Sequence, residues 1–306
     1  MEINKGKIVI VDFGCIMFSA IFAHKFTPQI PVTYTTTNMI LANLLKVGVQ
    51  PEDTIIIACD KGHSWRKEYD VQYKSDRKEK REAHTDINWK LTFEMMNDLL
   101  IKLDISTNWH IIQIESMEAD DIQAVATKYY SDNPVVLITF DADMCQLLDR
   151  PNVRIFSPKS KKYKFEENPL KLLAKKINKE QADGLTNPVL NEEDFDTRNL
   201  IVNLRELPEF VTTPIINKFK NLEIKTPDIE EFPFFSLKDK YLNLCNNSSK
   251  IVTIEKCAKE IERKKKKKRI KTCKNCKGHG DMNWQVELCQ SPKVRCPICH
   301  GKGKIK

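Results

Sequence analysis

Four short, nearly uninterrupted apolar runs constrain the fold of this 306-residue chain more than any other feature: Lys7–Val11, Thr54–Cys59, His110–Ile114 and Val135–Thr139. A strand with one wet face alternates apolar and polar residues, whereas a continuous run of Val and Ile needs cover on both faces. Between the runs the apolar spacing shifts to the helical period, in Thr37–Val47, Trp89–Leu103 and Asp120–Tyr130. Strand and helix in alternation predict an α/β domain, a mainly parallel sheet flanked by helices. That domain is expected over residues 1–158, with a highly charged segment inserted at 61–85. A polar helical extension is expected at 159–257, a basic linker at 258–271 and a four-cysteine module at 272–306.

The net charge of +8 is unevenly spread. Residues 261–306 carry 15 Lys and Arg against 3 Asp and Glu, so the rest of the chain is mildly acidic. A body of that sign does not bind a polyanion by bulk attraction; it needs local basic patches or bound cations. Four of the ten cysteines form two C-x-x-C pairs near the C-terminus and the others are scattered, which points to metal ligation in a reducing compartment. The apolar stretch Ile8–Ala23 resembles a secretory leader but contains Asp12 and lacks a small-residue cleavage site. No run approaches the ~20 residues of a membrane span. The expectation is a cytoplasmic, monomeric protein with no membrane partner.

The acids recur at the ends of the strand runs. Asp12 ends the first and Asp60 the second, Glu118, Asp120 and Asp121 follow the third, and Asp141 and Asp143 follow the fourth. Ligands of an open α/β sheet bind beyond the carboxyl ends of its strands, so these carboxylates should converge. Gathered carboxylates repel one another and favour cations, and hard oxygen donors suit Mg²⁺ or Mn²⁺. Two such ions would clamp the attacking and leaving oxygens of a phosphodiester. For any one Asp, a helix cap or a turn is the better explanation of its place; the set favours a metal site.

In this order and spacing, the strings IVDFG, ACDKGHSWRKEYDVQYKSDR, ESMEADDIQAVA and TFDADMCQLL resemble the 5′-nuclease superfamily. That superfamily holds flap endonucleases, the 5′-nuclease domain of bacterial DNA polymerase I and phage 5′-exonucleases; the ribonuclease H type of T-even phages is the most similar branch. The likeness covers about Lys7–Pro158. It implies that Asp12, Asp60, Glu118 and Asp120 serve a first metal and its shell, that Asp141 and Asp143 serve both metals, and that Asp121 serves the site or opens a helix. It further implies that Lys74 and Arg77 form the basic pair of a helical arch, where cations stabilise charge developing in the transition state, and that Arg66 contacts nucleic acid. Trp65 beside it is expected to pack. The family's later acidic pair finds its best match in Glu180 and Asp183, with Lys-Glu in place of the usual Gly-Asp. The family's glycine-rich hairpin has no counterpart. Arg198, Arg205 and Lys218 are candidate phosphate contacts, though a solvated helix face accounts for them as well.

Lys264, Lys265, Lys266, Lys267 and Lys268 form a self-repelling run that suits a nucleic-acid tether or a plain linker. Cys273, Cys276, Cys296 and Cys299 fit the four-thiolate template of one structural Zn²⁺, and their glycine-flanked repeats resemble half of the cysteine-rich domain of DnaJ-type chaperones. Taken together, these features lead us to expect a divalent-metal-dependent 5′→3′ exonuclease and flap endonuclease with ribonuclease H activity, acting on DNA and RNA–DNA hybrids in phage replication within a bacterial cytoplasm. A single-stranded-DNA-binding protein or a sliding clamp is the expected partner. The alternatives are a PIN-type ribonuclease and a non-catalytic nucleic-acid-binding module.

Overall fold

The structure, a computed structural model, describes residues 6–178, 189–246, 271–272 and 304–305. The chain divides into two compact units, Met1–Ile251 and Val252–Lys306. In the second, the described residues form two short strands, Lys271–Thr272 and Lys304–Ile305, paired antiparallel.

The first unit is built on β1 (Ile8–Asp12), β2 (Thr54–Cys59), β3 (His110–Gln113), β4 (Val135–Ile138), β5 (Val153–Ser157) and β6 (Lys162–Tyr163). These form one sheet in the order β3-β2-β1-β4-β5-β6, parallel except for β6, which runs antiparallel to β5. All four apolar runs become strands, and β5 and β6 extend the sheet beyond them. The sheet partitions its side chains by the two-residue period of a strand. Val9, Val11, Ile55, Ile57 and Ile138 belong to one buried cluster; Ile8, Ile10, Ile56, Ala58 and Leu137 belong to the other.

Helices cover both faces. The first cluster takes in apolar residues of α1 (Phe13–His24), α2 (Val32–Lys46), α4 (Trp89–Ser106) and α9 (Phe235–Asn246). The second takes in those of α5 (Ala119–Tyr129) and α8 (Glu209–Lys220). Between β2 and α4 lies the exposed α3 (Asp76–Glu82), none of whose residues is buried. Asn168 caps α6 (Pro169–Ile177) by accepting from the Lys171 amide, and Pro169 fits the first turn because its missing N–H would have no helical partner there. With α7 (Glu192–Val202), α6 forms a small third cluster of Leu173, Ile177, Ile201 and Val202 around Tyr73. The described helices after residue 158 and before residue 252 lie in the same compact unit as the sheet.

Candidate active site

The strand order reverses about β1: β2 and β3 lie to one side of it, β4 and β5 to the other. Such a reversal opens a crevice at the carboxyl ends of the strands. Asp12 sits there as the last residue of β1 and the N-cap of α1, its Oδ1 accepting from the Cys15 amide at 2.9 Å. Its Oδ2 accepts from the Thr139 hydroxyl and the Cys15 thiol, each at 2.9 Å. Asp60 follows β2 and accepts from the Ala119 amide at 2.7 Å, tying the β2 end to the start of α5. Glu118 and Asp121 cap α5 reciprocally. Beyond β4, Asp141 Oδ1 accepts from the Asp143 amide at 2.8 Å. Glu118, Asp120, Asp141 and Asp143 line one cleft together with Lys74, Arg77 and Lys176.

Burial and neighbouring charges shift the ionisation of these acids in different directions. Burial raises the Asp120 carboxyl well above its ordinary value, and the charges of Asp141 and Asp12 push it further. Asp60 still reaches solvent, yet the desolvation around its carboxyl raises its pKa, while the Ala119 amide works the other way. Burial also opposes ionisation of Glu118, but Lys74 and Arg66 outweigh it and hold this group below its ordinary value. Lys74 Nζ lies 2.9 Å from both Glu118 oxygens, and Tyr73 donates to Oε2 at 2.9 Å. Lys176 pairs with Asp143, and its ammonium donates to Oδ2.

Repelling, partly desolvated carboxylates are a donor set that fits a hard divalent ion. Among the described residues, no three His, Cys, Asp or Glu side chains stand close enough as they lie to hold one ion. Lysine ammonium groups meet the acids instead, so an arriving ion would compete with Lys74 for Glu118 and with Lys176 for Asp143.

Two of the predicted site residues are held by buried partners. Asp121 is fully buried, and its oxygens accept from Arg66 Nη2 (2.7 Å), Arg66 Nη1 (3.1 Å), Trp65 Nε1 (3.1 Å) and the Glu118 amide (3.0 Å). Oδ2 takes three of these bonds and Oδ1 one, so the side chain is held in place: Asp121 opens α5 and anchors the 61–85 segment. Arg66 is 1% exposed and donates inward to Asp121, Glu118 and the Ile201 carbonyl, so it does not face nucleic acid. Trp65 packs, as expected, against the second cluster.

Arg198 is buried, and Arg205 binds Asp149 and the Gln146 carbonyl, which leaves Lys218 as the exposed member of that trio. Glu180, Asp183, Lys264–Lys268 and the four cysteines Cys273, Cys276, Cys296 and Cys299 lie outside the described residues. Sequence reasoning missed Lys176, and also Lys164, which donates to the Asp141 carbonyl. Both sit in polar stretches without a motif, and only the fold brings them to acids 33 and 23 residues away.

Residues 7–177, which hold all the acids of this cleft, match the family described as 5′-3′ exonuclease, N-terminal resolvase-like domain. The chain belongs to this family. A curated relative is the Ribonuclease H of Enterobacteria phage T4, 28% identical over 171 residues, which are 53% of this chain and 55% of that protein. The match thus spans about half the length of that relative. Looser structural likenesses are to the bacteriophage T5 5′-exonuclease with bound zinc (20% identity, TM-score 0.49, covering 78% of this chain and 88% of that one) and to a T5 flap endonuclease complex with DNA and metal ions (18%, TM-score 0.48, covering 84% and 98%). Among the described residues, no helix of this 5′-3′ exonuclease family member is long and apolar enough to cross a membrane.

Proposed function

We propose that this protein is a divalent-metal-dependent 5′-nuclease that hydrolyses phosphodiester bonds in flapped or 5′-ended DNA and in RNA–DNA hybrids, as in the removal of primers and flaps during phage replication. The observation that carries this reading is the cleft lined by Glu118, Asp120, Asp141 and Asp143, with Asp12 and Asp60 at the carboxyl ends of β1 and β2, in a chain of the 5′-3′ exonuclease family. Asp12, Asp60, Glu118, Asp120, Asp141 and Asp143 would hold two Mg²⁺ or Mn²⁺ ions. Such ions, when bound, polarise the scissile phosphate and ease deprotonation of an attacking water.

The chain's own residues do the rest. Lys74 lies against Glu118 at the mouth of the cleft, and Arg77 lines the same cleft from the exposed start of α3. Turned onto a phosphate, these two cations stabilise the charge that develops as the bond breaks. Lys176 offers a third cation from α6. Asp121 and Arg66 fix the frame from which Tyr73 and Lys74 project.

The later pair, Glu180 and Asp183, would extend the acidic set. One structural Zn²⁺ at Cys273, Cys276, Cys296 and Cys299 would complete the C-terminal module, with Lys264–Lys268 as an electrostatic tether to nucleic acid. A replisome protein, either a single-stranded-DNA-binding protein or a sliding clamp, is the proposed partner of a monomer in the bacterial cytoplasm.

The test uses a 5′-labelled flap and a 5′-labelled RNA–DNA hybrid, each incubated with the full chain in Mg²⁺ and in EDTA. Short 5′-terminal products that form in Mg²⁺ alone are the expected result. No cleavage of either substrate in Mg²⁺ or Mn²⁺ would refute the proposal.

A further inference from the structure

We infer that Thr139 is a positioning residue whose single hydroxyl sets the Asp12 carboxylate and the Asp141 loop at fixed places relative to each other; the inference rests on the nuclease reading above. Thr139 follows β4, is fully buried and anchors its own amide to the Phe156 carbonyl of β5 at 3.1 Å. Its hydroxyl donates to Asp12 Oδ2 at 2.9 Å and accepts from the Asp141 amide at 3.1 Å. The Cys15 sulfur lies 3.3 Å from the same oxygen.

A hydroxyl can donate once and accept twice, and here it does both, toward groups on opposite sides of the crevice. No apolar side chain, and no group that only donates or only accepts, could join the two. The consequence for Asp12 follows from counting acceptor positions. A carboxylate has about four, and three are filled: Oδ1 by the Cys15 amide, Oδ2 by the Cys15 thiol and Thr139. Asp12 can therefore meet an ion through one remaining position, on Oδ1, and cannot swing to offer another without breaking a bond. Asp141 is fixed from behind in the same way, because its amide hangs from Thr139 while its own Oδ1 holds the Asp143 amide.

Three experiments on the full chain separate this role from space-filling. Thr139→Val keeps the volume and removes the hydroxyl; Thr139→Ser keeps the hydroxyl and removes the methyl. Loss of a partner that orients metal ligands typically weakens metal affinity or activity about 10–100-fold. Thr139→Val is thus expected to weaken Mn²⁺ binding, read by electron paramagnetic resonance without substrate, by at least ~10-fold. Its kcat should fall on the same scale with KM for the flap unchanged, and the Asp141 amide of the metal-free protein should lose its protection from hydrogen exchange. Thr139→Ser should restore all three. A Thr139→Val protein that is folded by its melting curve and binds Mn²⁺ like the wild type overturns the inference. So does a Thr139→Ser protein as impaired as Thr139→Val, since the methyl would then be the needed part. A wild-type chain that neither binds Mn²⁺ nor cleaves overturns the nuclease reading itself, and the inference with it.

Discussion

Asp121→Asn tests whether the most buried acid among the described residues is a ligand or a structural anchor. The Asp121 side chain is 0% and the Arg66 side chain 1% exposed, so solvent screens neither charge. The substitution keeps the shape but leaves the Arg66 guanidinium, among the described residues, with Glu118 as its one acidic partner, itself shared with Lys74 and Tyr73. Removing one member of a buried pair costs about 3–5 kcal/mol, because the other charge stays buried without compensation. In a unit of this size each kcal/mol moves the melting midpoint by about 2–4 °C, so a drop of about 6–20 °C is expected. The assay is thermal unfolding in EDTA, followed by Mn²⁺ titration at a temperature where both proteins are folded. Mn²⁺ affinity should be unchanged. Replacing the pair together, Arg66→Met with Asp121→Leu, should recover much of the loss, as apolar replacements of buried pairs often do. An Asp121→Asn protein that melts with the wild type but binds Mn²⁺ more weakly would refute the anchoring argument and return Asp121 to the ligand set.

Asp141→Asn and Asp143→Asn should each abolish cleavage while sparing DNA binding in a gel-shift assay; near-normal turnover in both would reject the two-ion assignment. Lys74→Ala should lower the single-turnover rate more than it lowers flap affinity, since its contact strengthens as charge develops; the reverse pattern would make Lys74 a phosphate grip only. Asp120 has a folded-state pKa raised above 3.8, so the folded metal-free protein retains a proton that the unfolded chain releases. Its contribution to stability is complete below about pH 4 and is lost as pH rises through the folded value. In EDTA the melting temperature should fall over that rise, and Asp120→Asn should flatten the fall in part, with Asp60 supplying the remainder; an unaltered slope in the variant would contradict the assigned repulsion. Deleting Thr272–Lys306 should remove one zinc per chain, measured by atomic absorption, and leave cleavage of short substrates intact; loss of cleavage at saturating substrate would make the module part of the active enzyme.

The centre of the sheet could be read from sequence because β1, β2 and β4 are buried on both faces and so carry unbroken apolar runs, and the half-buried edge strand β3 keeps the pair Ile111 and Ile112. The other edge could not. Strand β5 contains the polar residues Arg154 and Ser157, and β6 is only Lys162–Tyr163, so neither shows the pattern of a covered strand. Helix α1 was hidden for the opposite reason: its apolar residues run on directly from β1, so the change of period at Asp12 leaves little trace. Acids at strand ends were legible because chain order fixes which edge they reach. The roles of their neighbours were not. Arg66 lies in a string, WRKE, that reads as solvated surface, and its burial depends on Asp121, 55 residues on. Thr139 carries no motif of its own; its role exists only once β4 lies beside β1.

That adjacency has a consequence for the chain as it is made. Asp12 and Thr139 stand 127 residues apart, and they meet through a parallel pairing that no local turn can nucleate. Pairings of such long separation close slowly, because the loop entropy is lost before the contact rewards it. A ribosome that has released β1, α1, α2 and β2 has produced a chain with Asp12 and Asp60 but without Thr139 or Asp141. The acidic cluster, with its mutual repulsion, is thus assembled only when β4 docks beside β1. Half-made chains are spared both the electrostatic burden of the site and its chemistry.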